Sequence, residues 1–434
     1  MMTDNLAPRH PFAIRDFRYY WLARITIILA QMALVVVIGW QVYDIARQTM
    51  GLKAAAFQLG LVGLAQFAPL LLLTLYTGWV ADRFDRRRVA QFAILLEILC
   101  AAILGLTTWQ GTVTLPILFG AAALLGVARA FAGPALQGIT PNVVPAPLMP
   151  QAIAFSSIAW QMGAIIGPAM GGYLYAADPA APYIVAAILL CATLVALHLI
   201  RPFARKELSN KLSPWQQMIE GLHYVRRNRL VLGTISLDFI AVLLAGATAM
   251  LPVYARDILN VGSEGLGHLR AAPALGAAFV ALWFGVRPLS RNVGVKMLAA
   301  VAFFGVATII FGLSHLIMPS QPMAVALGAL AVLGALDMVS VYVRQTLIQI
   351  HTPDEMRGRV GAVSILFISG SNELGEAESG LLAALIGPVA AVVAGGVGAI
   401  IATCVWAWIF PELRRARTFD PPEDNVTTAK ETVA

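Results

Sequence analysis

GLVGLAQFAPLLLLTLYTGWVADRFDRRRVAQFAILLEILCAAILGL, residues 60–106, reads as two apolar runs joined by one short charged turn. Asp82, Arg83, Asp85, Arg86, Arg87 and Arg88 are crowded into that turn, and the flanking runs are almost free of charge. About 20 apolar residues in a helix cross roughly 30 Å of hydrocarbon, and a helix pairs its backbone groups internally, as a lipid environment demands. Working outward from this pair, the chain offers twelve such spans. They lie near 20–43, 57–80, 89–109, 114–140, 149–176, 182–200, 231–256, 267–286, 295–317, 322–349, 358–386 and 388–410. Composition agrees: 59% of the 434 residues are hydrophobic and 12% are charged, against about 25% charged in a soluble chain.

The charge distribution orients the spans. With both termini placed in the cytoplasm, 23 of the 30 Lys and Arg fall on cytoplasmic segments. The outer loops hold four (Arg47, Lys53, Arg256 and Arg270), and Arg24, Arg129 and Arg344 fall within spans. This is the positive-inside bias. It also accounts for most of the net charge of +7 without nucleic acid, because the basic clusters form no continuous stripe. Cys100, Cys191 and Cys404 lie in apolar runs, so neither a disulfide framework nor a zinc site is expected. The first 18 residues are polar and lead straight into a span, which argues against a cleavable signal peptide. The six histidines have no metal-ligand spacing, and no nucleophile elbow or phosphate loop is present. An enzyme, a cofactor and a bound metal are therefore not expected.

The polar stretch around 201–230 divides the chain into two sets of six spans. The expected organisation is an N-terminal six-helix half (1–200), a cytoplasmic linker with an amphipathic helix (201–230), a C-terminal half (231–411) and a polar cytoplasmic tail (412–434). In the linker, Ser213 can cap a helix started by Pro214, and Trp215, Met218, Ile219, Leu222 and Val225 recur at helical spacing. A shift of 208 residues superposes the two halves without a gap through spans 4–5 and 10–11. Gly120 meets Gly328, Gln137 meets Gln345, Pro145 meets Pro353, Ser156 meets Ser364, Gly167 meets Gly375 and Gly172 meets Gly380. Two parallel six-helix repeats related by an axis along the membrane normal build a transporter with its substrate near the midplane.

Polar residues inside apolar spans are costly, so they mark function or register. Span 11 carries Ser371-Asn372-Glu373-Leu-Gly375-Glu376-Ala-Glu378, three carboxylates that cannot all be ionised cheaply in a membrane. Glu373 and Glu376 share a helix face. With Asp238, Asp337 and Glu97 they are the candidate proton carriers. Arg24, Gln31, Arg129, Arg344 and Asn372 are the candidate lining of a substrate cavity. The repeat shift sets Asp337 opposite Arg129, and the two are expected to face one another. In span 5, Gly163, Gly167, Gly171 and Gly172 with Pro168 give small residues at helix-packing spacing and a bend.

The turn between spans 2 and 3, Gly78-Trp-Val-Ala81-Asp82-Arg83-Phe-Asp85-Arg86-Arg87-Arg88, resembles the signature loop of the major facilitator superfamily. That resemblance implies an all-α membrane fold of twelve helices in two pseudo-symmetric halves. It also implies a cytoplasmic latch at Gly78, Asp82, Arg83, Arg86 and Arg87. Asp85 departs from the family pattern, which has glycine there. The Gly163–Gly172 segment resembles a Gly-Pro motif of facilitator exporters, with Ala154 replacing an upstream glycine, and Arg129 with Gly133 partly matches an exporter motif whose arginine handles protons. Gln41-Val-Tyr43-Asp44, Gly60-Leu-Val-Gly63, Thr352-Pro353-Asp354-Glu355 and Ser371-Asn372-Glu373 resemble the enterobactin-exporter-like branch. The function so implied is proton-coupled export of a siderophore or similar small molecule by a monomer in the bacterial inner membrane, in contact with lipids. A broad multidrug efflux antiporter is the second reading, and a non-transporting receptor or scaffold is the alternative from another class.

Overall fold

The computed structural model describes residues 10–202 and 214–419. Ser213, the rest of the linker before Pro214, and the tail from 420 onward lie outside the described residues, as do the side chains of Gly78 and Asp82. Twelve long helices follow one another: α1 (Arg15–Thr49), α2 (Leu52–Arg83), α3 (Arg86–Trp109), α4 (Leu115–Gln137), α5 (Met149–Ala177), α6 (Ala181–Leu199), α7 (Arg229–Leu244), α8 (Gly262–Val286), α9 (Val293–Gly312), α10 (Pro322–His351), α11 (Asp354–Ile386) and α12 (Pro388–Ile409). Among the described residues, eleven helices are long and apolar enough to cross a membrane. The one outside that set is α11, whose 33 residues give ample length but include Glu373, Glu376 and Glu378. With twelve crossings, the termini and the linker share one face of the bundle, the terminal face, and the α1–α2 and α7–α8 turns share the far face.

The two halves repeat one another in their packing. In the first, α1 packs on α5 and α6, α2 on α4, and α3 on α4 and α6; in the second, α7 packs on α11 and α12, α8 on α10, and α9 on α10 and α12. The halves meet along two main seams, α2 on α11 and α5 on α8, which are images of each other under the repeat. Glycines make both seams close. A Cβ on Gly380 would lie 2.7 Å from the Cα of Gly60, and one on Gly172 would lie 2.4 Å from the Ser263 carbonyl oxygen and 3.1 Å from the Cα of Gly267. Gly163, Gly167 and Gly171 of the sequence-predicted packing segment abut α1 at Ile28, Met32 and Ala33.

Span 7 departs from the continuous helix expected over 231–256. It stops at Leu244, resumes as a 3₁₀ turn (Ala247–Met250) and ends in a π-helical turn (Tyr254–Ile258). Gly246 sits at the break, where a Cβ would lie 2.5 Å from the Gly375 carbonyl of α11. Pro252, a few residues on, lacks the N–H that a continuous helix needs.

The linker helix (Pro214–Arg227) docks on the second half. Glu220 pairs with Arg359 of α11 at 2.6 Å, and the Tyr224 hydroxyl donates to the His351 carbonyl at 2.5 Å. Val225 is buried, whereas Trp215, Ile219 and Leu222 stay exposed along the opposite stripe.

Candidate substrate cavity and charged clusters

A cavity of about 40 Å³ lies between the halves, narrower than the roughly 300–1,000 Å³ of organic-ligand pockets. Its walls are mostly small and apolar, from α1, α2, the broken outer part of α7, α8 and α11. The polar side chains are few: Gln66, Thr248, Arg270 and Glu376. Arg270 donates from Nη1 to the Thr248 carbonyl at 2.9 Å and pairs with Glu376 at 3.6 Å. Arg270 was expected in an outer loop. It lies instead within α8, inside the span expected over 267–286. Gln66, an isolated amide in an apolar run, was missed by sequence reasoning; no periodic pattern marks it.

Behind Gln66 the first half holds a polar cluster drawn from four helices. Gln31 of α1 donates to Glu97 of α3 at 2.7 Å, and Arg129 of α4 donates to Gln66 of α2 at 3.0 Å. Glu97 is fully buried, its Oε2 lacks a hydrogen-bond partner, and so does the Arg129 Nε. Arg129 also acts electrostatically on Glu97 and, across the seam, on Glu373, whose other charged neighbours are Glu376 and Arg270. Gln31, Gln66, Glu97, Arg129, Glu373, Glu376 and Arg270 thus form one chain of polar groups through both halves. Arg24 carries a buried Nε without a partner. Asn372 is exposed one turn before Glu376 on the same face and donates to its own helix at Ile368.

The second half holds a separate cluster. Asp238 of α7 and Arg344 of α10 form an ion pair, and both are buried. Asp337 and Ser340, also on α10, line a smaller cavity of about 10 Å³ with Asp238. This corrects the expected facing of Asp337 and Arg129. The repeat gives equivalent positions on α4 and α10, but each side chain points to partners inside its own half or at the seam. Arg344, likewise, pairs with Asp238 and does not line the central cavity.

Charged contacts cross the far face between α1 and the π-helical turn that ends span 7. The Tyr43 hydroxyl donates to Asp257 at 2.5 Å, Arg47 pairs with Asp257 at 3.1 Å, and Arg256 reaches back to the Asp44 carboxylate at 2.7 Å. Lys53 adds a bond from α2 to the Leu385 carbonyl of α11 at 2.9 Å.

Comparison with known proteins is decisive at the level of family. The profile described as transmembrane secretion effector, a major facilitator family, matches residues 6–425. This chain belongs to that family. Curated relatives include the enterobactin exporter EntS of Escherichia coli O1:K1 / APEC and that of Shigella boydii serotype 18, each 28% identical over 97% of both chains. Solved structures with the same fold include a POT family transporter in complex with 5-aminolevulinic acid (TM-score 0.70, 14% identity, 92% of this chain and 97% of that one). The inward open xylose transporter XylE from E. coli is another (TM-score 0.66, 14% identity, 91% and 96%). The protein is a multi-pass membrane transporter of the facilitator fold, not an enzyme.

The family's signature loop is built as follows here. Asp85, in place of the usual glycine, caps α3 by accepting from the Arg87 N–H at 2.9 Å and pairs with the Arg87 guanidinium at 3.3 Å. Arg86 donates to the Gly138 carbonyl at the end of α4 at 2.8 Å, and Arg87 to the Ile200 carbonyl at the end of α6. These bonds tie the loop to its own half. Arg83 is exposed at the end of α2.

Proposed function

We propose that this protein exports a small organic molecule across the bacterial inner membrane, coupled to inward movement of a cation, with both termini in the cytoplasm. The carrying observation is the cavity between the halves together with the ion pairs that join α1 to the outer turn of span 7 at the far face. In an alternating-access cycle these pairs hold the far face closed. Opening the far face requires the Asp44–Arg256 and Arg47–Asp257 pairs to part. The siderophore class is the first reading of substrate, supported by the likeness to the enterobactin exporters along the whole chain. The lining itself favours a second: small apolar walls with few directed polar groups suit varied lipophilic compounds. A membrane potential of 100 mV supplies about 2.3 kcal/mol per charge moved, so a pH gradient has to add to it for strong accumulation.

The test uses everted membrane vesicles, in which export becomes uptake. With an acid interior, vesicles containing the protein should accumulate enterobactin. Ethidium in its place reads out the broad-efflux alternative. No flux of either compound, with the protein shown to be in the membrane, rules out the exporter and leaves a receptor or scaffold. A reporter fused after Ala434 should sit in the cytoplasm; an external C-terminus overturns the orientation.

A further inference from the structure

On the outside of the first half, a groove runs between α3 and α6 toward the far face. Its volume is about 480 Å³, within the roughly 300–1,000 Å³ of organic-ligand pockets and well above that of the cavity between the halves. On α3 its lining is small: Ala101, Ala102 and Gly105. Trp109 and Ile184 stand exposed at the far-face end, and Cys191 is exposed at the deep end. The only hydroxyl in the lining, that of Tyr183, is spent on Gln41 at 2.6 Å. The fold does not require such a groove. In the second half the equivalent helices, α9 and α12, meet through glycines: a Cβ on Gly305 would lie 2.6 Å from the Gly396 carbonyl oxygen, and one on Gly396 would lie 2.6 Å from that of Gly305. In the first half Gly105 faces a tyrosine instead, with its Cβ position 3.2 Å from the Tyr183 Cβ, and the ring props the helices apart.

Depth and chemistry select the occupant. Water needs two to four polar partners, and this lining offers no such set. From Ala101 to Trp109 the groove spans about 12 Å at 1.5 Å per residue, and one leaflet of the hydrocarbon is about 15 Å deep. Trp109 ends the groove with a residue type that membrane proteins place at the head-group level. In lipid, van der Waals packing decides association, because the tails are as apolar as the protein. One extended hydrocarbon chain fits a slot of this length and lining. The turns beside the rim, 110–114 and 178–180, carry one carboxylate, Asp178, and no Lys or Arg. That balance suits a head group bearing an ammonium and disfavours an anionic one.

We propose that this groove binds one acyl chain of a zwitterionic phospholipid from the leaflet at the far face, and that the bound lipid steadies α1. Neither part depends on the exporter reading. Tyr183 of α6 donates to the Gln41 Oε1, and the Gln41 Nε2 donates to Thr108 of α3 at 2.9 Å. Gln41 lies two residues before Tyr43, whose hydroxyl bonds Asp257 across the far face. A chain that sets the spacing of α3 and α6 therefore sets the seat of α1 beneath the far-face contacts.

The test places the full-length protein in nanodiscs of palmitoyl-oleoyl phosphatidylcholine, doped with a phosphatidylcholine that carries a diazirine on one acyl chain. After irradiation, labelled peptides are mapped by mass spectrometry. Residues 101–109 and 183–191 should be labelled about fivefold more than 304–312 and 390–398, the stretches of α9 and α12 at the same depth, as a preference near 1 kcal/mol gives. Equal labelling of the two halves overturns the site, and this comparison needs no variant. Ala102→Phe with Ala187→Phe fills the groove from its own lining and should remove the excess; an undiminished excess overturns the site. Unlabelled phosphatidylethanolamine should compete better than phosphatidylglycerol, and equal competition overturns the head-group assignment. Displacement by ethidium or enterobactin, with phospholipid ineffective, gives the groove to a transported compound. A cross-linked dimer in place of lipid labelling gives it to a second copy. In detergent, added phosphatidylcholine should raise the thermal midpoint of the wild type, as a ligand of the folded state does. An equal rise in the filled variant overturns the steadying role.

Discussion

Arg256, at the end of the broken span 7, crosses from the second half to Asp44 of α1 at 2.7 Å, while Arg47 of α1 returns to Asp257 at 3.1 Å. Two adjacent residues of one half thus hold opposite charges of the other, and a sliding of α7 along α1 disturbs both pairs together. The four side chains are 19–32% exposed, so each pair contributes at most about 1 kcal/mol. Asp257→Asn should therefore shift the far face toward opening about fivefold. Spin labels at positions 50 and 385 in a cysteine-free background report this as a gain in the longer-distance population. An unchanged distance distribution removes the clasp from the gating account.

The glycine seams make a sharper steric prediction. Gly172→Ala places a methyl 2.4 Å from a carbonyl oxygen, and Gly380→Ala places one 2.7 Å from a backbone Cα. Overpacking of this kind typically costs 1–3 kcal/mol. Gly120→Ala and Gly328→Ala, which meet nothing within 4 Å, should be near neutral. Thermal midpoints of the four variants decide, and equal losses at all four positions would contradict the seam geometry.

Arg270 and Glu376 should behave as a pair. Removing one partner leaves the other charge unmatched beside the cavity, which costs more than removing both. Arg270→Gln should therefore impair flux more than Arg270→Gln combined with Glu376→Gln. If the losses simply add, the 3.6 Å contact carries no coupling and Arg270 acts directly on substrate.

In the signature loop, Asp82 and Asp85 should separate by readout. Asp85 caps α3, so Asp85→Ala should cost about 1 kcal/mol of stability while Asp85→Asn, an equally good cap, costs little. Asp82→Asn is expected to slow flux with the thermal midpoint unchanged, as a partner lost in one access state requires. A normal flux in Asp82→Asn shifts the latch to the arginines.

The spans and the repeat were legible because they rest on quantities sequence displays directly, hydropathy and a single offset. Gly172 and Gly380 show how far that reached: the 208-residue shift paired them, and the structure puts each on a seam against a glycine of the opposite half. The azimuth of a side chain is not displayed in that way. Asp337 and Arg129 are equivalent in the repeat, yet Arg129 turns to Gln66 and Asp337 into its own half. The break in span 7 was hidden because Gly246 and Pro252 interrupt the hydrogen-bond ladder without interrupting the apolar run. Arg270 was misplaced for a related reason: an arginine near a span end has the same hydropathy in a loop or in the first turns of α8.

The paired glycine crossings bear on friction. Where Gly60 of α2 meets Gly380 of α11 and Gly172 of α5 meets Gly267 of α8, the contact is backbone against backbone, with little at those points to interdigitate. Surfaces of that kind resist compression but offer little hindrance to rolling or sliding. Much of the work of reorienting one half against the other then falls on the charged contacts at the rim. Turnover speed becomes a property that single charge substitutions and ionic strength can tune, while the interiors of both halves stay unchanged.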